Sequence, residues 1–228
     1  MVLIPAFTGM ILASLTSFSQ VYEKPNFSFS SHPTLEIDRI ELKEDRTLVY
    51  MAITNKRMGS SFCVDTNTYI LNSLGDQEFR MTQSMGIPDC PEVHKFEAIG
   101  EKVSFILVFQ PIPSDLKYID IIEDCPNACF SFKYVMLDTE LNQKINQGML
   151  LYEYGKLKEA LKHFEDLLAT HNDFMSPVFG TVYLYLMFIN YELGEMDEVE
   201  RLYEELQYSS ILNKEEIIEA AQFEGIID

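Results

Sequence analysis

The chain has 228 residues, of which 47% are hydrophobic and 12% aromatic, so it can build one large or two small cores and intrinsic disorder is not expected. Its formal net charge of −19 disfavours nucleic acid and anionic membrane surfaces as partners, because an acidic protein repels phosphate groups. Basic peptides and metal cations are compatible with that charge, although an acidic surface is more often only a solvated helix face.

Residues 1–20 have the features of an export signal. Two apolar runs, around Leu3 and Leu12, precede Ser17 and Ser19 in the arrangement of a signal-peptidase site. The segment lacks Lys and Arg near its start, and a buried N-terminal strand or helix is the alternative. Serines and threonines interrupt it before about 18 apolar residues accumulate, which disfavours a membrane span. We therefore expect a periplasmic or secreted protein without a membrane span in the mature chain.

Strands of alternating polarity are predicted for residues 21–137. Residues 35–42 and 47–54 form a hairpin pattern around a four-residue polar loop. Residues 22–33 are typical of an extended segment or an edge strand. Further strands are predicted at residues 61–64, 66–72, 78–82, 103–109 and 130–137. This number of short strands over about 100 residues predicts an antiparallel β-sandwich.

All the cysteines fall in this β-rich part, at Cys63, Cys90, Cys125 and Cys129. An even number fits an oxidising compartment. They allow three pairings, of which the short Cys125–Cys129 loop favours Cys125 with Cys129 and Cys63 with Cys90. A thiol-redox role is disfavoured because such pairs normally use C-x-x-C, whereas three residues separate Cys125 from Cys129. A zinc site is disfavoured because His94 is the only histidine near these cysteines in the sequence.

Helices are predicted for the rest of the chain, residues 138–228. Asp138 is a candidate N-cap, and the helices are expected at residues 139–154, 157–169, 177–193, 196–207 and 214–222. The third of these is apolar nearly all round and should be buried between its neighbours. From Met136 onward the chain has 19 acidic and 6 basic residues, so this half carries most of the negative charge. The whole sequence therefore predicts an α+β protein of two domains.

Two segments of the helical half, residues 152–165 and 191–204, are similar in sequence at an offset of 39 residues. In each, a helix ends on an aromatic residue, Gly155 or Gly194 makes the turn, and an amphipathic helix follows. Repeats of this length are typical of stacked helix pairs that bind partners rather than catalyse reactions.

The repeat resembles the tetratricopeptide repeat, with Gly148, Gly155, Ala160 and Phe164 at the positions of its pattern. In the second copy, Met187 and Val199 stand where the pattern has small residues. The offset of 39 residues between the copies is longer than the usual repeat length of about 34, and the loop at residues 170–176 contains the extra residues. The resemblance implies a peptide-binding groove lined by the first helix of each pair. The residues at the groove positions are Asn142, Ile145, Met149, Tyr152, Leu184, Phe188 and Tyr191. Core packing or a domain interface is the alternative role of these side chains.

The β-rich part is similar to uncharacterised immunoglobulin-like domains of exported Bacteroidetes proteins. The similarity lies in three short segments, Gly86–Pro88, Phe109–Pro113 and Ile119–Glu123. It implies an immunoglobulin-like domain and an exported protein, and it implies no activity.

The sequence contains no arrangement of residues typical of catalysis or cofactor binding. The histidines are scattered, and no nucleophile elbow, phosphate loop or dinucleotide fingerprint is present. We therefore expect a non-enzymatic adaptor or scaffold that binds a protein or peptide, without a metal or cofactor. The alternatives are an accessory module of a periplasmic thiol-redox or proteolytic system, and an enzyme whose site is assembled across the two domains, for which His94 and Asp120 are the residues to test.

Overall fold

The computed structural model describes residues 20–170 and 177–227 of the chain. The export signal predicted at residues 1–20 therefore lies, apart from Gln20, outside the described residues. The same holds for most of the loop predicted at residues 170–176.

The N-terminal part of the described chain is built from antiparallel strands. The strands are β1 (Gln20–Glu23), β2 (Phe29–Ser30), β3 (Leu35–Leu42), β4 (Thr47–Thr54), β5 (Ser61–Phe62), β6 (Tyr69–Asn72), β7 (Glu78–Met85), β8 (His94–Lys95), β9 (Lys102–Phe109), β10 (Tyr118–Ile122) and β11 (Ser131–Met136). Nine of them form one sheet in the order β1-β3-β4-β9-β7-β6-β10-β11-β2, and β5 and β8 form a small separate ladder.

The large sheet curls around its own core. Strand β7 pairs with β9 on one side and with β6 on the other, so the sheet is continuous from β1 to β2. Side chains from both ends of the sheet, such as Met51, Leu107 and Phe132, belong to one buried cluster. The predicted β-rich, antiparallel part is thus confirmed, with its strands joined in a single curled sheet.

Strand β10 was not predicted, because its sequence does not alternate. The helix-side core includes Tyr118, whereas Ile119 and Ile121 belong to the core inside the sheet. A strand that is covered on both faces loses the alternating pattern from which strands are recognised. Asp120 lies at a bulge in the ladder and is buried as well.

Two disulfides tie the loops of the β-rich part, Cys63–Cys90 and Cys125–Cys129. The favoured pairing of the cysteines is therefore confirmed. Disulfides of this kind are typical of proteins in oxidising compartments.

Five helices follow the sheet in the described chain, and each lies within one residue of its predicted bounds. They are α1 (Thr139–Glu153), α2 (Leu157–Thr170), α3 (Pro177–Leu193), α4 (Met196–Tyr208) and α5 (Lys214–Phe223). Asp138 caps α1 as predicted, since its Oδ1 accepts a hydrogen bond of 2.9 Å from the Leu141 N–H. The turns after α1 and α3 place Gly155 and Gly194 at φ of 70° and 80°, the left-handed region that glycine adopts without strain.

Helix α3 lies at the centre of the helical part and packs on α2, α4 and α5. Its buried side chains, including Phe179, Leu186 and Ile189, confirm the prediction of a helix buried on nearly all sides. The helical core also takes in Tyr118 of β10 and Met136 of β11. Side chains on the helix-facing side of the sheet therefore belong to the same core as the helices.

Helices α1 and α2 pack closely at Gly148. A Cβ atom at Gly148 would lie 2.5 Å from two ring carbons of Phe164, which is itself fully buried. We predict that Gly148→Ala lowers the free energy of unfolding by about 1–3 kcal/mol through overpacking, in spite of the roughly 1 kcal/mol by which alanine favours a helix. Urea unfolding followed by circular dichroism measures this loss.

Gln147→Ala is the matched control for this substitution. Gln147 is the neighbouring residue of α1 and is exposed, so its replacement should change stability by less than about 0.5 kcal/mol. Adding Phe164→Leu to Gly148→Ala should restore part of the loss relative to the sum of the two single variants. A Gly148→Ala protein as stable as the wild type would show that the two helices do not approach this closely.

Candidate partner-binding face

Two residues predicted to line a peptide groove are buried in the structure. Asn142 is 1% exposed and Ile145 is fully buried. The Asn142 Oδ1 atom accepts hydrogen bonds from the backbone N–H and the side-chain Nδ2 of Asn26, at 2.7 and 2.9 Å. Its Nδ2 donates to the Met136 carbonyl at 2.9 Å. This corrects the prediction for these two positions, which are buried and cannot contact a partner in this arrangement. Asn142 instead joins α1 to the β-rich part.

The linker between β1 and β2 lies against this end of α1. Asn146 donates from Nδ2 to the Lys24 carbonyl at 3.2 Å and accepts at Oδ1 from the Asn26 side chain at 3.1 Å. The Asn26 carbonyl accepts in turn from the Met136 N–H at 2.8 Å. Side-chain amides on one face of α1 thus hold a segment of the protein's own chain.

The other predicted residues lie further along α1 and on α3. We call their surface the α1/α3 face and define it by Met149, Tyr152, Leu184, Phe188 and Tyr191. The first four are half-buried, and Tyr191 is 46% exposed. The α1/α3 face is therefore partly open to solvent, as a surface that contacts a partner must be.

Aromatic contacts connect the two helices at the α1/α3 face. The Tyr152 ring lies 6.3 Å from that of Phe188 in a nearly parallel arrangement and 5.4 Å from that of Tyr185 in an edge-on arrangement. Tyr185 stacks in turn on buried Phe164 of α2, with ring centroids 5.6 Å apart. These contacts fix the rings in place, so a partner would meet a preformed surface.

Tyr152 also bonds to an acidic residue at the end of α3. Its hydroxyl donates to Oε1 of Glu192, a residue exposed to solvent. Burial, followed by the adjacent Glu192 carboxylate, raises the pKa of Tyr152 to about 12, because both disfavour the phenolate. Glu153 of α1, also exposed, raises the pKa of Tyr185 further beyond the effect of burial. The α1/α3 face thus combines fixed aromatic rings with carboxylates.

Sequence reasoning did not identify Tyr185, Glu192 or Glu153 as parts of this surface. The repeat pattern places only one residue per helical turn in a groove. Glu153, Tyr185 and Glu192 each come directly after such a groove residue in the sequence, so the pattern does not include them. Glu192 lies four residues after Phe188, and such pairs share a helix face. That spacing is the signal that could have found it.

Other candidate groups lie apart from the α1/α3 face. His94 pairs with Glu101 at 2.9 Å, and this contact lowers the pKa of the Glu101 carboxyl. His163 contacts the Lys144 carbonyl at 2.7 Å. His94 lies in the small ladder and Asp120 in the large sheet, so the two residues considered for an enzymatic site belong to different sheets. Within residues 20–170 and 177–227, no group of three or more His, Cys, Asp and Glu is arranged to hold a metal ion.

No family model, no curated protein and no solved structure matches this chain. In the part of the chain that the structure describes, no helix has both the length and the apolar character needed to cross a bilayer.

The contact between Tyr152 and Glu192 gives a prediction that tests the geometry of the α1/α3 face. Replacing Glu192 by Gln removes a negative charge next to the phenol, so the pKa of Tyr152 should fall from about 12. Burial remains, which keeps it above the ordinary value. Titration of ¹³C-labelled tyrosine by NMR, with Tyr152→Phe to assign the resonance, measures the change.

Glu153→Gln provides the comparison, because Glu153 acts on Tyr185 rather than on Tyr152. It should lower the pKa of Tyr185 and leave that of Tyr152 in place. An unchanged Tyr152 pKa in Glu192→Gln would mean that the two side chains are not in contact in solution.

Proposed function

We propose that the protein is an exported, non-enzymatic adaptor that binds a segment of a protein partner on the α1/α3 face. The observation that carries the proposal is the set of aromatic rings held in place there, with Tyr191 46% exposed beside them. Tyrosine rings that are rigid and partly solvent-exposed are typical anchors of protein interfaces.

The neighbouring end of α1 supports a chain segment as the ligand. There the amides of Asn142 and Asn146 already hold the linker that contains Lys24 and Asn26. A partner segment on the α1/α3 face would lie further along the same helix, α1. The helical half would then bind two segments, its own linker and that of the partner.

The charge of the face favours a basic segment. Glu153 and Glu192 are exposed, and the chain from Met136 onward has 19 acidic residues against 6 basic ones. Complementary charge speeds association and selects against acidic partners more than it adds affinity. We therefore propose a partner segment that combines Lys or Arg with apolar side chains.

The finer assignments belong to the same proposal. The helices would form a tetratricopeptide-like unit, which the buried Gly148, Ala160 and Phe164 and the turns at Gly155 and Gly194 support. The curled sheet would be an immunoglobulin-like domain. Two disulfides support a periplasmic or secreted location.

Selection of displayed random 12-residue peptides on the immobilised full chain tests this function. We expect enrichment of peptides with Lys or Arg next to apolar residues, and Kd values that rise with salt. Tyr191→Ser should weaken binding of a selected peptide at least tenfold, about 1.4 kcal/mol, in calorimetric titrations.

Tyr208→Ser is the matched control, because Tyr208 is even more exposed but lies at the end of α4, outside the α1/α3 face. It should bind the selected peptide like the wild type. Equal affinity of the wild type and Tyr191→Ser, or a selection that yields no binding peptide, would contradict the proposal.

A further inference from the structure

A cavity of about 450 Å³ lies beside the small ladder of β5 and β8. Small-molecule sites commonly have volumes of about 300–1,000 Å³, so this one can hold a compact ligand. The cavity is separate from the α1/α3 face, with which it shares no residue. Its lining includes His32, Asn55, Lys56, Arg57, Ser60 and Phe62.

The charge of this lining is opposite to that of the chain as a whole. Lys56 and Arg57 contribute two positive charges, and none of the described residues that line the cavity is Asp or Glu. The whole chain has 36 acidic residues and 17 basic ones. A concave surface of one sign concentrates small ions of the opposite sign, because its low-dielectric walls focus the field.

Arg57 is also unusual among the arginines of the chain. Within the described residues, the other arginines each pair with a carboxylate, and they are Arg39, Arg46, Arg80 and Arg201. The hydrogen bonds of Arg57 to described residues involve only its backbone N–H and carbonyl. Both Lys56 and Arg57 are exposed, so their charged groups can be reached by a ligand.

A buried amide fixes the loop that carries these cations, residues 56–60. Asn55 is 4% exposed, and its Oδ1 accepts hydrogen bonds from the Arg57 N–H at 3.1 Å and from the Ser60 hydroxyl. Its Nδ2 donates to the Ala98 carbonyl at 2.6 Å. These bonds tie the loop to the segment that follows β8. A binding loop that is already ordered lowers the entropic cost of binding.

The acidic residue bonded to this loop is engaged elsewhere. The Glu101 carbonyl accepts a hydrogen bond from the Asn55 N–H at 2.8 Å. The Glu101 carboxylate, however, contacts His94 Nε2 at 2.9 Å and accepts from the Glu97 N–H at 2.6 Å. It therefore does not pair with Arg57.

Aromatic side chains form the apolar part of the lining. Phe62 is half-buried, and its ring lies 5.8 Å from that of Phe105 and 6.1 Å from that of His32. These contacts hold the ring while part of it stays open. Phe96 and Ile53, both buried, also line the cavity.

We infer that this cavity binds a small organic anion, whose carboxylate or phosphate group pairs with Arg57 and Lys56 and whose apolar part contacts Phe62. A guanidinium group presents its N–H donors in a planar fork that matches two oxygens of either anion. A neutral ligand would leave both cations unpaired, and a cationic ligand would be repelled. The chain's net charge of −19 disfavours large polyanions, so the ligand is a small molecule.

The anionic group could be a carboxylate or a phosphate, and the test separates these two. The probes are 2-naphthoate and 2-naphthyl phosphate, with 2-naphthalenemethanol as the neutral counterpart and inorganic phosphate as the anion without an apolar part. At least one naphthyl anion should shift the NMR resonances of the His32 and Phe62 rings in the full chain. Its Kd should be lower than that of either counterpart by about tenfold or more and should rise with salt. The tighter of the two naphthyl anions identifies the group.

Replacing both Lys56 and Arg57 by Gln tests the role of the cations. Because both residues are exposed, the variant should keep the Tm of the wild type, while its Kd for the naphthyl anion rises about tenfold or more. Replacing both Lys158 and Lys162 by Gln is the matched control. These lysines are exposed on α2 and do not line the cavity, so the same loss of charge should leave the Kd nearly unchanged.

Three results would overturn the inference. In the first, neither naphthyl anion shifts the His32 and Phe62 resonances. In the second, the neutral alcohol or inorganic phosphate binds as tightly as the naphthyl anions. In the third, the Lys56 and Arg57 variant binds like the wild type, or the α2 control loses as much affinity. None of these readouts depends on a peptide bound to the α1/α3 face.

Discussion

The arrangement of this protein depends on the hydrogen bonds of one buried amide. Asn142 connects the β1–β2 linker through Asn26, the end of β11 through Met136, and helix α1, on which it lies. A buried polar side chain with fixed partners tolerates little displacement, because every lost bond leaves an unsatisfied group away from water. The helical part therefore cannot slide over the sheet without breaking this set of bonds, and α1 has a defined position from which the other helices pack.

The position of α1 determines which surfaces are left for binding. Close contact between Gly148 and Phe164 fixes the position of α2 on α1. The Phe164 ring in turn stacks on the ring of Tyr185 of α3. Helix α3 has apolar side chains on nearly all sides, and most of them pack in the core. The aromatic rings of α3 that lie next to α1 are among its side chains that stay partly exposed. The same packing brings α5 close to α3 at Gly180, where a Cβ atom would lie 2.8 Å from Cγ1 of Ile217. The partly exposed aromatic surface beside α1 thus follows from the packing of the helical part.

Much of this architecture could be predicted from local sequence patterns. Helix bounds follow from apolar periodicity, from the cap at Asp138 and from glycine turns such as Gly155, all of which act within a few residues. The disulfide pairing followed from the short Cys125–Cys129 loop. Strand β10 was missed because Asp120 interrupts a strand that is covered on both faces. The contact of Asn142 with Asn26 spans 116 residues, and no local pattern encodes it. For the same reason a repeat pattern could not distinguish buried Ile145 from exposed Tyr191.

A double-mutant cycle between Asn26 and Asn142 tests most directly whether this amide contact joins the two parts. The free energy of unfolding is measured by urea titration for the wild type, Asn26→Ala, Asn142→Ala and the double variant. We predict a coupling energy of roughly 0.5–1.5 kcal/mol, the typical net value of an intramolecular hydrogen bond, and a double variant that loses less stability than the two single variants combined. Strict additivity, with a coupling energy near zero, would contradict it and would mean that the helices are held on the sheet by apolar packing alone.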